Sequence, residues 1–472
     1  MANEIVISVC LTTVTLFLCM LNVPNTSALK TMSVEKKPPH DRVVVCYVAS
    51  WARYRTGRGA FTLDDIDPSL CTHLVYAFAG LNINTNSIRS LDEYNDLEEN
   101  YGLGSFRKIT ALKNTFPHLK VTLAIGGWNE GSANYSLMAS TPTRRQQFIK
   151  SVVTMLKEYN FDGLDLDWEY PGMREGKPED KENFVHLVKE LREEFDKHNW
   201  ILTAALGAAK STIDTAYDVP ALSRYLDLMH IMCYDYHGTW DKKTGPNAPL
   251  YGTDPSDTLS VEFSIKYFLK LGAPRNKLVM GLPLYGRTFF SDGPSNVRGL
   301  GVPAEEKGFQ GQFTKEDGYM GYNEICIELT NKTSPFEKYW DEKSATPYAI
   351  QGNKIIVYDD ARSLTLKVKH AMQNDLAGVM VWPMDTDDFH GDCTAMIEGN
   401  DVKYPNYPLL RTINKAVVDA LQDIQNEILT KQEKEKEREK AKSTDSKGTG
   451  AGLMASTTLC MLSSTFALML RK

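Results

Sequence analysis

Most of the chain alternates between two patterns. Short, continuous apolar runs rich in β-branched and aromatic residues recur at 42–51, 72–81, 120–128, 161–170, 200–209, 226–235, 277–286 and 377–385. Between them lie segments whose apolar residues return every three or four positions, such as 143–159 and 181–198. The first pattern predicts strands and the second amphipathic helices. The runs are continuous, as strands covered on both faces must be. Eight such units predict an α/β fold of the (β/α)8 TIM-barrel type. A doubly wound open sheet shares this local rhythm and stays open at this level.

One gap breaks the rhythm. Residues 288–360 are too many for one helix and carry Gly-rich turns and β-like pieces, 354–358 among them. They predict an α+β subdomain inserted after the seventh strand, forming one wall of a cleft. The folded body is expected over 41–422, closing with a helix from Pro408.

The two ends follow other patterns. Residues 5–23 are apolar and uncharged, and Thr26 and Ala28 are small, so 1–28 reads as a signal peptide. Residues 423–452 form a charged and polar linker, with alternating Lys and Glu over 430–442. Residues 453–472 hold an apolar stretch ending in Arg471 and Lys472. Small residues, a polar spacer and an apolar tail are the pattern of a glycolipid (GPI) anchor signal; the rival is a short transmembrane helix. The expectation is an extracellular protein tethered to the membrane through a C-terminal lipid anchor.

Composition adds little, but charge excludes a class of partner. With 42% hydrophobic and 24% charged residues the chain is ordinary for a globular protein. A formal net charge of −7 gives no basic face for nucleic acid. Of the eight cysteines, Cys10 and Cys19 fall in the leader and Cys460 in the tail. Cys46, Cys71, Cys233, Cys326 and Cys393 remain in the body, an odd number that leaves one thiol free in a disulfide-permissive compartment. No spacing suggests zinc; neither a metal nor another cofactor is expected. Asn134-Tyr135-Ser136 and Asn331-Lys332-Thr333 are acceptors for N-glycosylation.

The chemistry concentrates in 161–170, FDGLDLDWEY. Alternate side chains of a strand share a face, so Asp165, Asp167 and Glu169 point one way and Leu164, Leu166 and Trp168 the other. Asp162 falls with the second set, which gives it a structural role. Acids crowded inside a barrel raise at least one pKa, as a general acid at neutral pH requires. Glu169 ends the strand, where barrel active sites sit. A solvated edge strand would leave the apolar set burying only a thin stripe. A cation site would need ligands that no neighbouring His or acid supplies.

This segment resembles the DxxDxDxE signature of glycoside hydrolase family 18, and the body from Arg42 to Asn414 is similar to animal, arthropod-like chitinases of that family. KVTLAIGGWN at 120–129, MCYDYHG at 232–238, GLPLYGRTF at 281–289 and GVMVWPMDTDDF at 378–389 agree with it. The resemblance implies a barrel with a subdomain after the seventh strand. It implies endochitinase activity on chitin or chitooligosaccharides by a monomer, with retention and assistance from the substrate's 2-acetamido group. The cysteines are too few for the extra chitin-binding module that many such proteins carry.

The implied catalytic residues are Glu169 as acid and base, Asp167 orienting the acetamido group, Asp165 tuning Asp167, and Tyr234 bonding the acetamido carbonyl. The implied sugar-binding residues are Tyr47, Phe78, Glu93, Tyr94, Gly126, Gly127, Trp128, Asn129, Tyr170, Met232, Cys233, Asp235, Tyr285, Arg287 and Trp382. Cys233 also reads as a packed strand thiol. Trp51 and Trp240 resemble further stacking residues. Gly126 and Gly127 would let the backbone approach substrate. Cys46–Cys71 and Cys326–Cys393 match family disulfides. The alternatives are an endo-β-N-acetylglucosaminidase acting on N-glycans and a chitooligosaccharide-binding lectin on the same fold.

Overall fold

The computed structural model describes residues 37–292, 299–393 and 404–445, with the side chains of 441–445 left aside. Residues 1–28 and 453–472, where a signal peptide and an anchor signal are expected, lie outside the described residues.

In chain order the strands are β1 (Val43–Ala49), β2 (His73–Asn82), β3 (Ser87–Ser90), β4 (Lys120–Gly126), β5 (Gly163–Asp167), β6 (Ile201–Gly207), β7 (Leu228–Met232), β8 (Leu278–Pro283), β9 (Tyr285–Phe290), β10 (Tyr319–Gly321), β11 (Glu337–Asp341), β12 (Thr346–Gln351), β13 (Lys354–Val357) and β14 (Gly378–Trp382). β1, β14, β8, β7, β6, β5, β4 and β2 pair in that order, all parallel, and β2 returns to β1. That closing pair, with Cys46 opposite Leu74 and Tyr47 opposite Val75, makes the sheet a barrel and excludes the open doubly wound alternative. β3 adds a short antiparallel strand to β2, which the apolar pattern did not foretell.

Helices fill the gaps where the periodicity placed them. The helix Pro142–Tyr159 starts on Thr141, whose side chain accepts from Arg144 N–H, and has Pro142 in its first turn. It buries Phe148, Ile149, Val152 and Leu156 on one face and ends at Asn160, in the left-handed region at φ 57°. Such faces meet the outward side chains of the strands, among them Val44, Leu123, Leu164 and Leu202, in one continuous core. A second, smaller cluster fills the barrel: Val45, Tyr47, Val75, Ala77, Ala124, Leu228, Val279 and Met380. Alternation along β1, with Val45 and Tyr47 inward and Val44 and Cys46 outward, separates the two.

The predicted seventh run divides into two strands. β8 ends at Pro283, which has no N–H for a further rung, and β9 opens a separate antiparallel sheet, ordered β10-β9-β13-β12-β11. With the helix Tyr322–Thr330 it forms an α+β insertion between β8 and β14. Disulfides join Cys46 to Cys71 and Cys326 to Cys393, with Cα separations of 6.0 and 5.8 Å. The second ties the insertion's helix to the loop after β14. Cys233 is a buried free thiol, and burial pushes it up to about 12.

The last helix, Pro408–Asp445, does not break near Gln422 but continues through the start of the charged segment. Gln, Glu, Lys and Arg are good helix formers, and the alternating charges place opposite signs three residues apart. From Gln425 to Lys440 every residue is exposed. No helix among the described residues is long and apolar enough to cross a membrane.

Candidate active site

β5 places its acids inside the barrel. Asp165 is fully buried and accepts from Thr203 on β6 and, at 2.8 Å, from the Tyr47 hydroxyl on β1. His230 Nδ1 on β7 lies 3.2 Å from the same carboxylate and 2.8 Å from the Tyr47 oxygen. Leu164, Leu166 and Trp168 face the outer core. Asp162 stands apart: it takes an ion pair from Lys113 at 3.0 Å and a bond from Val121 N–H at 2.8 Å. It fastens strand ends, and its geometry is structural.

Asp167 and Glu169 stand above Asp165, and Asp167 is poorly satisfied. Asp167 is buried, and its Oδ1 has no hydrogen-bond partner. Burial, then the charges of Glu169 and Asp165, pushes its pKa well up. Burial is also the main reason that Glu169 rises to about 7; a Tyr170 hydrogen bond and the Arg174 charge oppose this, and Asp235 adds to it. A carboxyl with that pKa is divided about equally between its acid and base forms near neutral pH, so it can give a proton and take one back. The peptide bonds Glu169–Tyr170 and Ala77–Phe78 are cis.

Aromatic rings line the space beside the acids. Trp382, at the end of β14, packs edge-on against Tyr47 at 5.6 Å and tilted against Phe78 at 5.7 Å and Trp51 at 6.1 Å. Trp51 stacks on Phe78 at 5.9 Å. Tyr234 and Met232 join the interior cluster, and the Tyr234 hydroxyl points to Met380 Sδ at 3.8 Å. Asp235, at φ 57°, accepts from Tyr285 at 2.7 Å and from Arg287 Nε and Nη2 at 2.9 and 2.7 Å. The insertion's first strand is thereby bolted to the loop after β7. Trp51, Tyr94, Trp128 and Trp240 are large exposed apolar side chains. Glu93 and Asn129 are also exposed. Such rings suit the apolar faces of a polar, uncharged ligand.

A match to the family model of glycosyl hydrolases family 18 runs over residues 43–387, most of the chain. The chain belongs to glycosyl hydrolase family 18. Probable chitinase 2 of Drosophila melanogaster is 52% identical over 430 residues, covering 87% of each chain. The crystal structure of the Ostrinia furnacalis Group IV chitinase is 44% identical, with a TM-score of 0.75, covering 80% of this chain and 100% of that one. Human YKL-39, described as a pseudo-chitinase with retained chitooligosaccharide binding properties, is 32% identical with a TM-score of 0.71, covering 80% and 99%.

Within this family 18 barrel, the ladder, Tyr47, Phe78, Tyr234, Asp235, Tyr285, Arg287 and Trp382 come together through contacts on the strands' C-terminal ends. Gly126 and Gly127 have packing reasons of their own. At φ 118° and 86°, a side chain on the first would strike the carbonyl of Asp167 and one on the second the ring of Phe78. Cys233 is packed away from solvent. Sequence reasoning missed His230 and Thr203, the partners of Asp165. It missed Tyr319 of β10, which stacks on Tyr285 at 4.6 Å. It also missed Arg55, whose buried pair with Asp385 at 2.8 Å joins the loop after β1 to the loop after β14. An inward position on β7 was a readable signal for His230; the loop residues had none.

Proposed function

We propose that the chain is an endochitinase that cleaves internal β-1,4 bonds of N-acetylglucosamine polymers with retention, assisted by the substrate. The observation carrying this reading is the unpartnered, buried Oδ1 of Asp167 beside a Glu169 that holds its proton to about 7. Glu169 donates that proton to the leaving glycosidic oxygen. The acetamido carbonyl oxygen of the departing bond's own sugar attacks its anomeric carbon, and the glycosidic C–O bond breaks. The resulting oxazolinium N–H has its acceptor in Asp167 Oδ1, and Tyr234 donates to the acetamido oxygen. Asp165, held by Thr203, Tyr47 and His230, keeps Asp167 in register. Water, losing a proton to Glu169, opens the ring from the face the leaving group left.

The remaining cleft residues bind the flanking sugars, Trp382 beneath the reacting one and Trp51, Trp128 and Trp240 along the chain. A lectin needs no proton donor, and the ladder retains Glu169. Cleavage should require the acetamido group. Acetylated oligomers should be hydrolysed to β-anomeric products and fully deacetylated ones left intact; equal cleavage of both sets would exclude substrate assistance. Release of glycans from glycoprotein in preference to cleaving the oligomers would favour the endo-acetylglucosaminidase reading.

The same reading places the enzyme, a monomer, outside the cell on a glycolipid tether. Ser443, Ser446 and Gly448 are small residues before a polar spacer and the apolar stretch from Leu453. The exposed charged helix from Gln425 would hold the barrel off the bilayer. Phosphatidylinositol-specific phospholipase C should release activity from intact expressing cells. Retention on the cells, with an anchored control released, would favour a transmembrane tail.

A further inference from the structure

The loop after the acid carries a side chain with no place in the mechanism above. Arg174 donates through Nη1 to the Trp128 carbonyl at 2.9 Å and to the Glu169 carbonyl at 3.0 Å. Its guanidinium carbon lies 3.5 Å from the centroid of the Trp128 ring. One cation thus grips the backbone of the acid, the backbone of the neighbouring stacking residue and the face of its indole.

The loop is shaped for that grip. Arg174 and Glu175 are both in the left-handed region, at φ 50° and 69°, which non-glycine residues avoid. The buried Asp180 holds them there, accepting from Gly172 N–H at 3.2 Å and Lys177 N–H at 2.7 Å. Trp128, by contrast, is 58% exposed and flanked by Gly127 and Gly131, both at positive φ. A large ring on such a backbone needs a brace if it is to present a fixed face to sugar. A planar guanidinium stacked on one face supplies the brace and leaves the other face free.

We infer that Arg174 is a positioning residue that clamps the Trp128 platform to the backbone of Glu169, so that the acid and the sugar stacked beside it are held in one register. This rests on the reading of Glu169 as the acid. The groups facing Glu169 are Tyr170 and Arg174 on its own loop, Asp167 on β5, Asp235 and Tyr234 after β7, and Tyr217 beyond β6. Among them Arg174 is the cation whose charge lowers the acid's pKa.

The test uses the full chain and N-acetylglucosamine oligomers. In a Glu169→Gln background, Arg174→Met should weaken calorimetrically measured binding about three- to tenfold. In the active enzyme the same change should move the alkaline limb of kcat/KM to higher pH, because the acid loses a neighbouring positive charge. Arg174→Lys keeps the charge but not the planar stack. It should weaken binding while leaving the limb in place, and it carries the test if the Met variant does not fold. Variants that lower the melting temperature but leave both binding and limb as in wild type would overturn the inference and leave the acid assignment standing. Hydrolysis by Glu169→Gln at the wild-type rate would overturn the acid assignment and the inference with it.

Discussion

Two clusters of acids sit at the C-terminal ends of barrel strands, and they are treated in opposite ways. Asp165 and Asp167 lie on β5 and Glu169 stands two residues past its end; Asp385, Asp387 and Asp388 follow β14, and all six are buried. Burial lifts both Glu169 and Asp387 to about 7, so acidity does not separate the clusters. Donors do. Asp387 accepts from Asp388, Leu409 and Leu410 N–H at 2.8, 3.3 and 2.9 Å. Asp388 takes N–H groups from Asp392 and Cys393, both at 2.8 Å. Asp385 accepts from Ala49 N–H through Oδ2, and its Oδ1, which has no hydrogen bond, is held by the ion pair with Arg55 at 2.8 Å. In the ladder Asp165 is satisfied and Glu169 has a hydrogen bond from Tyr170, but Asp167 keeps an oxygen with neither a hydrogen bond nor an ion pair. A buried carboxylate whose lone pairs are filled by its own chain is a structural bolt, and one left open is poised for a ligand.

The largest effect that could break this contrast is on turnover. Glu169→Gln keeps the shape of the side chain and removes its proton. It should lower kcat on N-acetylglucosamine oligomers by about 10²–10⁴-fold or more while oligomer binding persists. Rates within a few-fold of wild type, with an unchanged circular dichroism spectrum, would erase the distinction between the clusters.

The second effect falls on stability. Leu409 and Leu410 lie in the first turn of the helix Pro408–Asp445, so their N–H groups have no partner within it, and Asp387 caps them from outside. Asp387→Ala should cost about 1–3 kcal/mol, seen as a lowered denaturant midpoint, with kcat per folded molecule unchanged. A loss of kcat without a loss of stability would move Asp387 into the catalytic group.

The sequence could rank the two clusters but not explain them. Strict alternation in LDLDWE announces a polar face on a strand, and the strand period alone predicts that Asp165, Asp167 and Glu169 share it. MDTDD has no such period, since it lies in a loop whose course depends on Arg55 and on a helix more than twenty residues later. The barrel was legible because its eight runs are local. The split between β8 and β9 was less so, because an apolar run does not record which sheet it joins. Arg174 was illegible: its partners are the carbonyls and ring of residues brought close by the barrel, and a carbonyl leaves no trace in a sequence. The continuation of the last helix was readable as composition, but the alternating charges were equally compatible with a solvated linker.

The smallest effect, and the one that sharpens the contrast most, is a shift in pH dependence. Glu169 must be protonated to act, so activity should fall as pH rises through about 7. Asp235 adds negative charge near this group and so holds the proton on more tightly. Asp235→Asn removes that charge, the acid loses its proton more easily, and the alkaline limb of kcat/KM should move to lower pH. The opposite change is expected of Arg174→Met. Asp387→Asn removes a buried acid of comparable pKa from the other cluster, where no effect on Glu169 is resolved, and should leave the limb where it is. Profiles of these three variants on one soluble oligomer would therefore sort the acids by what they face. If Asp387→Asn moved the limb as far as Asp235→Asn does, the two clusters would titrate as one network, and a filled set of lone pairs would no longer mark an acid as structural.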